Sequence, residues 1–315
     1  MTLHYKKEDI IAAYERVRQR IHKTPVLTSA LINEMAETKL YFKCENLQKA
    51  GSFKIRGATN AILQLSEDEK KKGVVTHSSG NFAQALALAA RDLFVPAYIV
   101  MPDNAPRVKV DAVKAYGADI RFCKNTQTER VRAMEEWQQE TGATFLHPYD
   151  NPHVILGQSS CAYELLNQVS ELDNIVSPVG GGGLISGTAL TASFFSPNTN
   201  VFAAEPKGAD DAWHSFNYGK IFPSENPQTI ADGLLTSLGE YTFPVIRKLV
   251  SDIYTVTDEE IIEAMKIVWT RMKIIIEPSS ATSLAVILKH KAQFRDQKTA
   301  LIISGGNVDL NRLPF

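Results

Sequence analysis

Asn174-Ile175-Val176-Ser177-Pro178-Val179 runs directly into Gly180-Gly181-Gly182-Gly183 and then into Leu184-Ile185-Ser186-Gly187-Thr188-Ala189-Leu190. The first block is a short, mostly apolar run of the kind that forms a buried strand, and residues 184–194 carry helical spacing. Between them stand four consecutive glycines, which are conformationally expensive. A strand-to-helix junction needs no flexible spacer, so that cost calls for another reason. Bare backbone N–H groups can approach an anion closely, and the helix start adds its partial positive charge. A phosphate is the natural ligand. The spacing is neither G-x-G-x-x-G nor Walker A, since no Lys-Ser/Thr follows.

The same alternation extends outward in both directions. Strands are expected at 40–44, 74–77, 97–101, 119–123, 144–147, 201–204 and 300–303. Helices are expected at 10–21, 82–91, 107–116, 129–141, 258–272 and 280–290. Thr257 before Asp258, Glu259 and Glu260 is a good helix start. Strands alternating with helical segments predict an α/β protein with parallel sheets and crossover helices. Two α/β units are expected. The smaller spans 67–148, and the larger is assembled from 1–66 and 149–315.

Composition narrows the function classes. The chain has 315 residues, 44% hydrophobic and 22% charged, with 34 basic and 35 acidic side chains for a net charge of −1. That is ordinary globular composition for about two domains. Nothing in the charge balance points to nucleic acid or an anionic membrane surface. Glu67-Asp68-Glu69 and Lys70-Lys71-Lys72 read as a solvated helix end. Cys44, Cys123 and Cys161 have no metal-type spacing and no disulfide framework, which fits a reducing, cytoplasmic setting. The polar N-terminus has no signal core, and no run approaches the roughly 18 apolar residues of a membrane span.

Three further motifs carry chemistry. Gly51-Ser52-Phe53-Lys54-Ile55-Arg56-Gly57 places a lysine between apolar neighbours, and a partly desolvated amine has a lowered pKa and can form an imine with an aldehyde. An isolated lysine of this kind is more often a surface residue with a buried stem. Ser78-Ser79-Gly80-Asn81 follows a strand and opens a helix, which makes a carboxylate site or a plain N-cap. Ser304-Gly305-Gly306-Asn307 follows the last buried strand. Open α/β sheets collect ligands at the carboxyl ends of their strands, where three of these motifs sit. The sequence has no H-E-x-x-H, C-x-x-C or G-x-S-x-G.

Taken together, these motifs resemble the fold-type II pyridoxal-phosphate (PLP) enzymes, whose fold is tryptophan synthase β-like, and within them the serine racemase and serine/threonine dehydratase group. The resemblance runs from about Thr24 to Leu310. It implies two open, twisted, mostly parallel sheets, one in a larger and one in a smaller domain, with the site between them. It implies that Lys54 carries the cofactor and removes the α-proton, and that Phe53 packs beside the ring. Asn81 meets the 3′ hydroxyl, and Gly180, Gly181, Gly182, Gly183 and Leu184 hold the phosphate. Gly233 and Glu277 line the ring pocket, and Ser304 faces the pyridine nitrogen as a neutral partner. Ser78, Ser79, Gly80 and Asn81 receive the substrate carboxylate, Arg130 is an arginine of the smaller domain that helps close the site, and Thr236 lies near the substrate side chain. Ser79 is the implied second acid/base for racemisation, although it can also serve only as a carboxylate ligand. Glu205, Ala209 and Asp211 match a divalent-cation site suited to Mg²⁺, Ca²⁺ or Mn²⁺.

Two positions depart from the pattern. Phe82 stands where a His is usual, and Ala50 replaces a hydroxyl residue near the nucleotide site of animal racemases. The expected activity is racemisation of serine with dehydration of serine or threonine, in a homodimer acting on small hydroxy-amino acids. The alternative is a threo-3-hydroxyaspartate or catabolic threonine dehydratase with little racemase activity. A cysteine-synthase type of β-replacement enzyme and a non-catalytic phosphate or amino-acid binder are the rival readings.

Overall fold

The computed structural model describes residues 5–78, 80–105 and 107–315. Ten strands are present among them: β1 (Val26–Leu27), β2 (Lys39–Cys44), β3 (Val74–His77), β4 (Ala97–Pro102), β5 (Asp119–Cys123), β6 (Thr144–Phe145), β7 (Asn174–Pro178), β8 (Asn200–Pro206), β9 (Asp252–Val256) and β10 (Lys298–Ile303). They form a six-stranded sheet, ordered β1-β2-β10-β7-β8-β9, and a four-stranded sheet, ordered β5-β4-β3-β6. Every pairing is parallel except β1 with β2. The architecture is α/β with two mostly parallel sheets and flanking helices. The smaller sheet draws its strands from the middle of the chain, and the larger from the stretches on either side.

The centre of the large sheet is buried on both faces. β7 is buried throughout, and β8 and β10 nearly so, as expected where helices cover a parallel sheet from both sides. The helix Pro278–Lys289 packs on one face, joining Leu284, Val286 and Ile287 to Phe42, Val176 and Leu301. On the other face Ile175, Ala300 and Ile302 meet Cys161, Leu165 and Leu184. The small sheet is covered by Phe82, Leu86 and Val113 on one side and by Met134 and Trp137 on the other.

Local structure departs from the sequence reading in a few places. The strand expected to reach His147 stops at Phe145. His147 Nδ1 accepts the Asp150 N–H at 2.9 Å and Pro148 has no N–H to give a ladder, so the chain turns. The first helix is Lys7–Val17, not 10–21; it ends in a turn in which Arg20 N donates to Val17 O at 2.8 Å. The helix Pro152–Gln168 was not foreseen. Its buried positions run almost continuously around the axis, which leaves no amphipathic stripe to read. Its start is nonetheless well marked, by Pro152 and by Asn151 Oδ1 accepting from His153 N and Val154 N. The helices Ala30–Ala36 and Lys54–Leu63 and the strand β9 also went unread.

Candidate active site

Lys54 is the first residue of the helix Lys54–Leu63. Its side chain is half-buried. Nζ donates to the Pro148 carbonyl at 3.0 Å and lies 5.1 Å from the centre of the Phe53 ring and 5.8 Å from that of Phe82. Burial pushes the amine down to about 8, against the opposing field of Glu277. A lysine in this state is partly neutral near physiological pH and able to act as nucleophile or base. Phe82, the departure noted in the sequence, forms one aromatic wall of this enclosure.

The segment before Lys54 is tied to the end of β10. Phe53 N donates to Ser304 O at 3.0 Å, and Ser52 forms an isolated bridge with Gly305. Beyond this junction lies a connected polar group. Asn81 Nδ2 donates to both oxygens of Glu277, at 2.8 and 3.0 Å. Asn307 N reaches Glu277 Oε2 at 3.2 Å, and Asn307 Nδ2 reaches Asn81 Oδ1 at 2.9 Å. Burial, with Asp232 nearby, lifts the Glu277 carboxyl to about 7. Ser304 is buried, with its hydroxyl 3.0 Å from that of Ser280.

The glycine loop lies at the carboxyl end of β7 and opens the helix Gly183–Phe195. Gly182 has φ +90°, a backbone state that favours glycine. A Cβ on Gly181 would lie 2.4 Å from atoms of the Tyr149 ring, so Tyr149 packs directly on the loop backbone. Thr242 Oγ1 donates to Gly181 O at 2.9 Å. Asp150 accepts from Glu240 N at 2.9 Å and from Tyr241 N at 2.8 Å, which fixes the start of the helix Thr242–Leu249 over the same loop. Gly233 O and the Leu234 backbone abut Gly180. Leu184 is buried behind it. Thr236 lies beside the Tyr149 hydroxyl, which burial pushes up to about 12.

The serine-rich turn joins β3 to the helix Asn81–Asp92. Ser78 N donates to Val100 O at 3.1 Å, and Gly80 N lies 3.4 Å from Ser78 Oγ. Ser79 lies outside the described residues. A Cβ on Gly80 would meet nothing within 4 Å among the described residues. Arg130 comes from the helix Gln127–Thr141, which packs against β3 and β4. It hydrogen-bonds Asn125, and among the described residues its buried Nε has no hydrogen-bond partner. Its charge helps hold His77 below the ordinary histidine range, after burial.

Glu205 and Asp211 form a separate cluster at the end of β8. Glu205 accepts the N–H groups of Ala212 and Trp213, each at 2.8 Å. Both Asp211 oxygens are buried, and among the described residues none meets them at full hydrogen-bond geometry, although the Ser224 hydroxyl lies near enough to offset part of the effect of burial. Burial and the Asp211 charge drive the Glu205 carboxyl well above the usual carboxylate range, and burial lifts Asp211 to about 6. Ala209 is buried in the short turn Lys207–Ala209 between them.

Lys54, Phe53, Asn81, Glu277 and Ser304 thus converge, with Pro148 and Tyr149 bridging from Lys54 to the glycine loop. Tyr149, Asp150, Asn307 and Ser280 were not singled out in the sequence. Asn307 was visible only as the end of its Gly-Gly-Asn motif. The donor set fits PLP: an enclosed amine for its aldehyde, a tight N–H loop at a helix start for its phosphate, and a hydroxyl and an amide for its ring.

Known proteins agree with this fit. A family model described as "Pyridoxal-phosphate dependent enzyme" matches residues 17–305. The chain is 48% identical to a beta-hydroxyaspartate dehydratase from Paracoccus denitrificans, over 98% of each chain. It is 52% identical to a serine racemase from Dictyostelium discoideum, over 97% of this chain and 96% of the other. The crystal structure of that racemase superposes with a TM-score of 0.93, covering 96% of this chain and 98% of its own.

Proposed function

The chain belongs to the pyridoxal-phosphate dependent enzymes, and from that premise we propose that it racemises serine and dehydrates serine or threonine, with Lys54 as the amine that carries the cofactor. The observation that carries the assignment of Lys54 is its enclosure: one carbonyl, two aromatic faces and a pKa lowered to about 8. When bound, PLP supplies an electrophilic aldehyde and a ring that takes up the electron pair released at the substrate α-carbon.

The remaining roles belong to the chain's own residues. Lys54 would take the α-proton from one side. Ser79 holds the proton exchanged on the opposite side. Ser78, Ser79, Gly80 and Asn81 bind the substrate carboxylate at the start of their helix. The N–H groups of Gly180 to Gly183 and Leu184 bind the cofactor phosphate. Asn81 orients the 3′ hydroxyl, and Phe53, Gly233 and Glu277 line the ring. Ser304 would face the ring nitrogen with a neutral hydroxyl.

Glu205, Asp211 and the Ala209 carbonyl hold a divalent cation, Mg²⁺, Ca²⁺ or Mn²⁺. The burial of both carboxylates supports this, since two buried carboxylates of like charge call for a counter-charge. Residues 67–148 close as a unit over the large sheet, with Arg130 and Thr236 completing the substrate side. The protein works as a cytoplasmic homodimer. Among the described residues no helix is long and apolar enough to cross a membrane.

One observation favours a second reading, dehydration of 3-hydroxyaspartate. Among the described residues the buried Nε of Arg130 has no hydrogen-bond partner, and a second substrate carboxylate would satisfy it. The deciding experiment follows oxo-acid and enantiomer formation separately for L- and D-serine, L-threonine and both 3-hydroxyaspartate diastereomers, in the wild type and in Ser79→Ala. Racemisation of serine that is lost in Ser79→Ala, with dehydration of the L-substrate largely kept, is the expected result. Equal loss of both activities would remove the separate role of Ser79, and turnover of hydroxyaspartate alone would select the second reading.

A further inference from the structure

His147 precedes a proline and stands just past the end of β6, where the chain leaves the small sheet. Leu146 is still tied to β3: its N–H donates to Val75 O at 2.9 Å, and its carbonyl accepts from Thr76 Oγ1 at 2.8 Å. One residue later a side chain replaces the ladder. His147 Nδ1 accepts the Asp150 N–H at 2.9 Å and lies 3.4 Å from Tyr149 N. Nδ1 needs a free lone pair for this, so the neutral ring carries its proton on Nε2. Burial, with His77 and Lys54 beside it, pushes the imidazole down to about 4, so the ring is neutral at physiological pH.

The turn that His147 closes reaches two parts of the site. The Pro148 carbonyl accepts from Lys54 Nζ at 3.0 Å. The Tyr149 ring lies 4.5 Å from the His147 ring, at 89° to it, and packs on the backbone of Gly181. Pro148 has no N–H of its own to anchor it. Its orientation depends on the acceptor before it and the N–H groups after it. The chain repeats this device four residues on. Asn151 precedes Pro152, and Asn151 Oδ1 accepts from His153 N at 2.9 Å and Val154 N at 3.1 Å. At both places an acceptor side chain before a proline faces the N–H groups two and three residues ahead. At 151 the turn opens a helix; at 147 it presents a carbonyl to Lys54.

We propose that His147 is a positioning residue, which by accepting these N–H groups aims the Pro148 carbonyl at Lys54 and holds its free amine in place. The proposal rests on Lys54 as the amine that carries the cofactor, the reading given above. By taking one N–H, the carbonyl fixes the direction of the Lys54 lone pair. The contact belongs to the unbonded amine, so its effect falls on the step in which Lys54 takes the cofactor back from an amino acid. There the lone pair forms a C–N bond to the cofactor carbon that bore the aldehyde, the C–N bond from that carbon to the amino acid breaks, and one proton passes from Lys54 to the departing amine.

The test mixes holoenzyme with glycine, which has no β-leaving group, then dilutes it and follows the return of the lysine-bound cofactor by stopped-flow absorbance. His147→Phe fills the space of the ring without an acceptor. His147→Asn copies the Asn151 turn without the ring. The return should slow about 5-fold in His147→Phe, the worth of one neutral hydrogen bond, and His147→Asn should restore it. A wild-type rate in His147→Phe overturns the proposal. A slow return in His147→Asn also overturns it, since the ring and its packing would then matter and the acceptor would not; this arm decides alone if the Phe variant does not fold. Borohydride trapping separates the two readings. A label on a lysine other than Lys54 removes the assignment of Lys54 and the proposal with it, whereas a label on Lys54 with an unchanged rate removes the role of His147 alone.

Discussion

Replacing Arg56 with methionine tests how the helix that begins at Lys54 is anchored. The guanidinium is fully buried and makes five contacts: Nε to Glu45 Oε2 at 2.6 Å, Nη2 to Glu45 Oε1 and Glu164 Oε2 at 2.8 Å each, Nη1 to Glu164 Oε1 at 3.0 Å, and Nη1 to Ser160 Oγ at 3.2 Å. Lys43 Nζ adds a 2.8 Å contact to Glu164. Arg56, Lys43, Glu45 and Glu164 form a buried group of zero net charge. Summing the five bonds at about 1.5–3 kcal/mol each would overstate their worth, because desolvation of the charges offsets most of it. Removing one partner of such a group leaves an uncompensated buried charge and costs about 3–5 kcal/mol. Arg56→Met should lose that much stability near neutral pH, measured by chemical denaturation of the holoenzyme. The sign of the pH dependence follows from Glu45, whose carboxyl is held below its ordinary range by Arg56 against burial. That stabilisation is present above the ordinary carboxylate pKa and is lost as pH falls through the depressed one. In the variant Glu45 takes up a proton more easily, so the gap to wild type should narrow as pH falls toward about 4. A loss below about 1 kcal/mol, or a gap that does not change with pH, would refute the reasoning.

Further expectations concern the phosphate loop and the cation cluster. Gly181→Ala places a methyl 2.4 Å from the Tyr149 ring, which should cost about 1–3 kcal/mol of loop stability and weaken PLP binding, read by cofactor titration; unchanged affinity would show that the loop can shift freely. Adding Mg²⁺ to chelator-treated protein should raise its thermal midpoint by relieving the Glu205–Asp211 repulsion, and Asp211→Asn should abolish that response. A midpoint indifferent to the cation in the wild type would remove the site.

The parts of the fold that were legible in the sequence share one property: a local pattern that burial did not erase. β3 lies where a short apolar run places it, β5 where polar and apolar residues alternate, and the helix Asp258–Met272 begins at its Thr257 cap. The helix Pro152–Gln168 stayed hidden because it is buried nearly all round, and the strand at Thr144 was overrun because the His147 turn depends on a side-chain bond. The site divides the same way. Lys54, the glycine loop, the Ser-Asn turn and Ser304 belong to motifs with a chemical reason for their composition. Tyr149 and Asp150 act through contacts with residues 181 and 239–242, which no local pattern records. Ser280 is one hydroxyl among several in Pro278-Ser279-Ser280-Ala281-Thr282-Ser283, and only its distance to Ser304 distinguishes it.

The enclosure of Lys54 is the centre of the account, and one labelling measurement addresses it. Holoenzyme should show a visible cofactor absorbance that disappears on borohydride reduction, and peptide mapping of the reduced protein should find the phosphopyridoxyl group on Lys54. Lys54→Ala should show neither the band nor the label. A label on another lysine, or none in protein that binds PLP, would contradict the assignment.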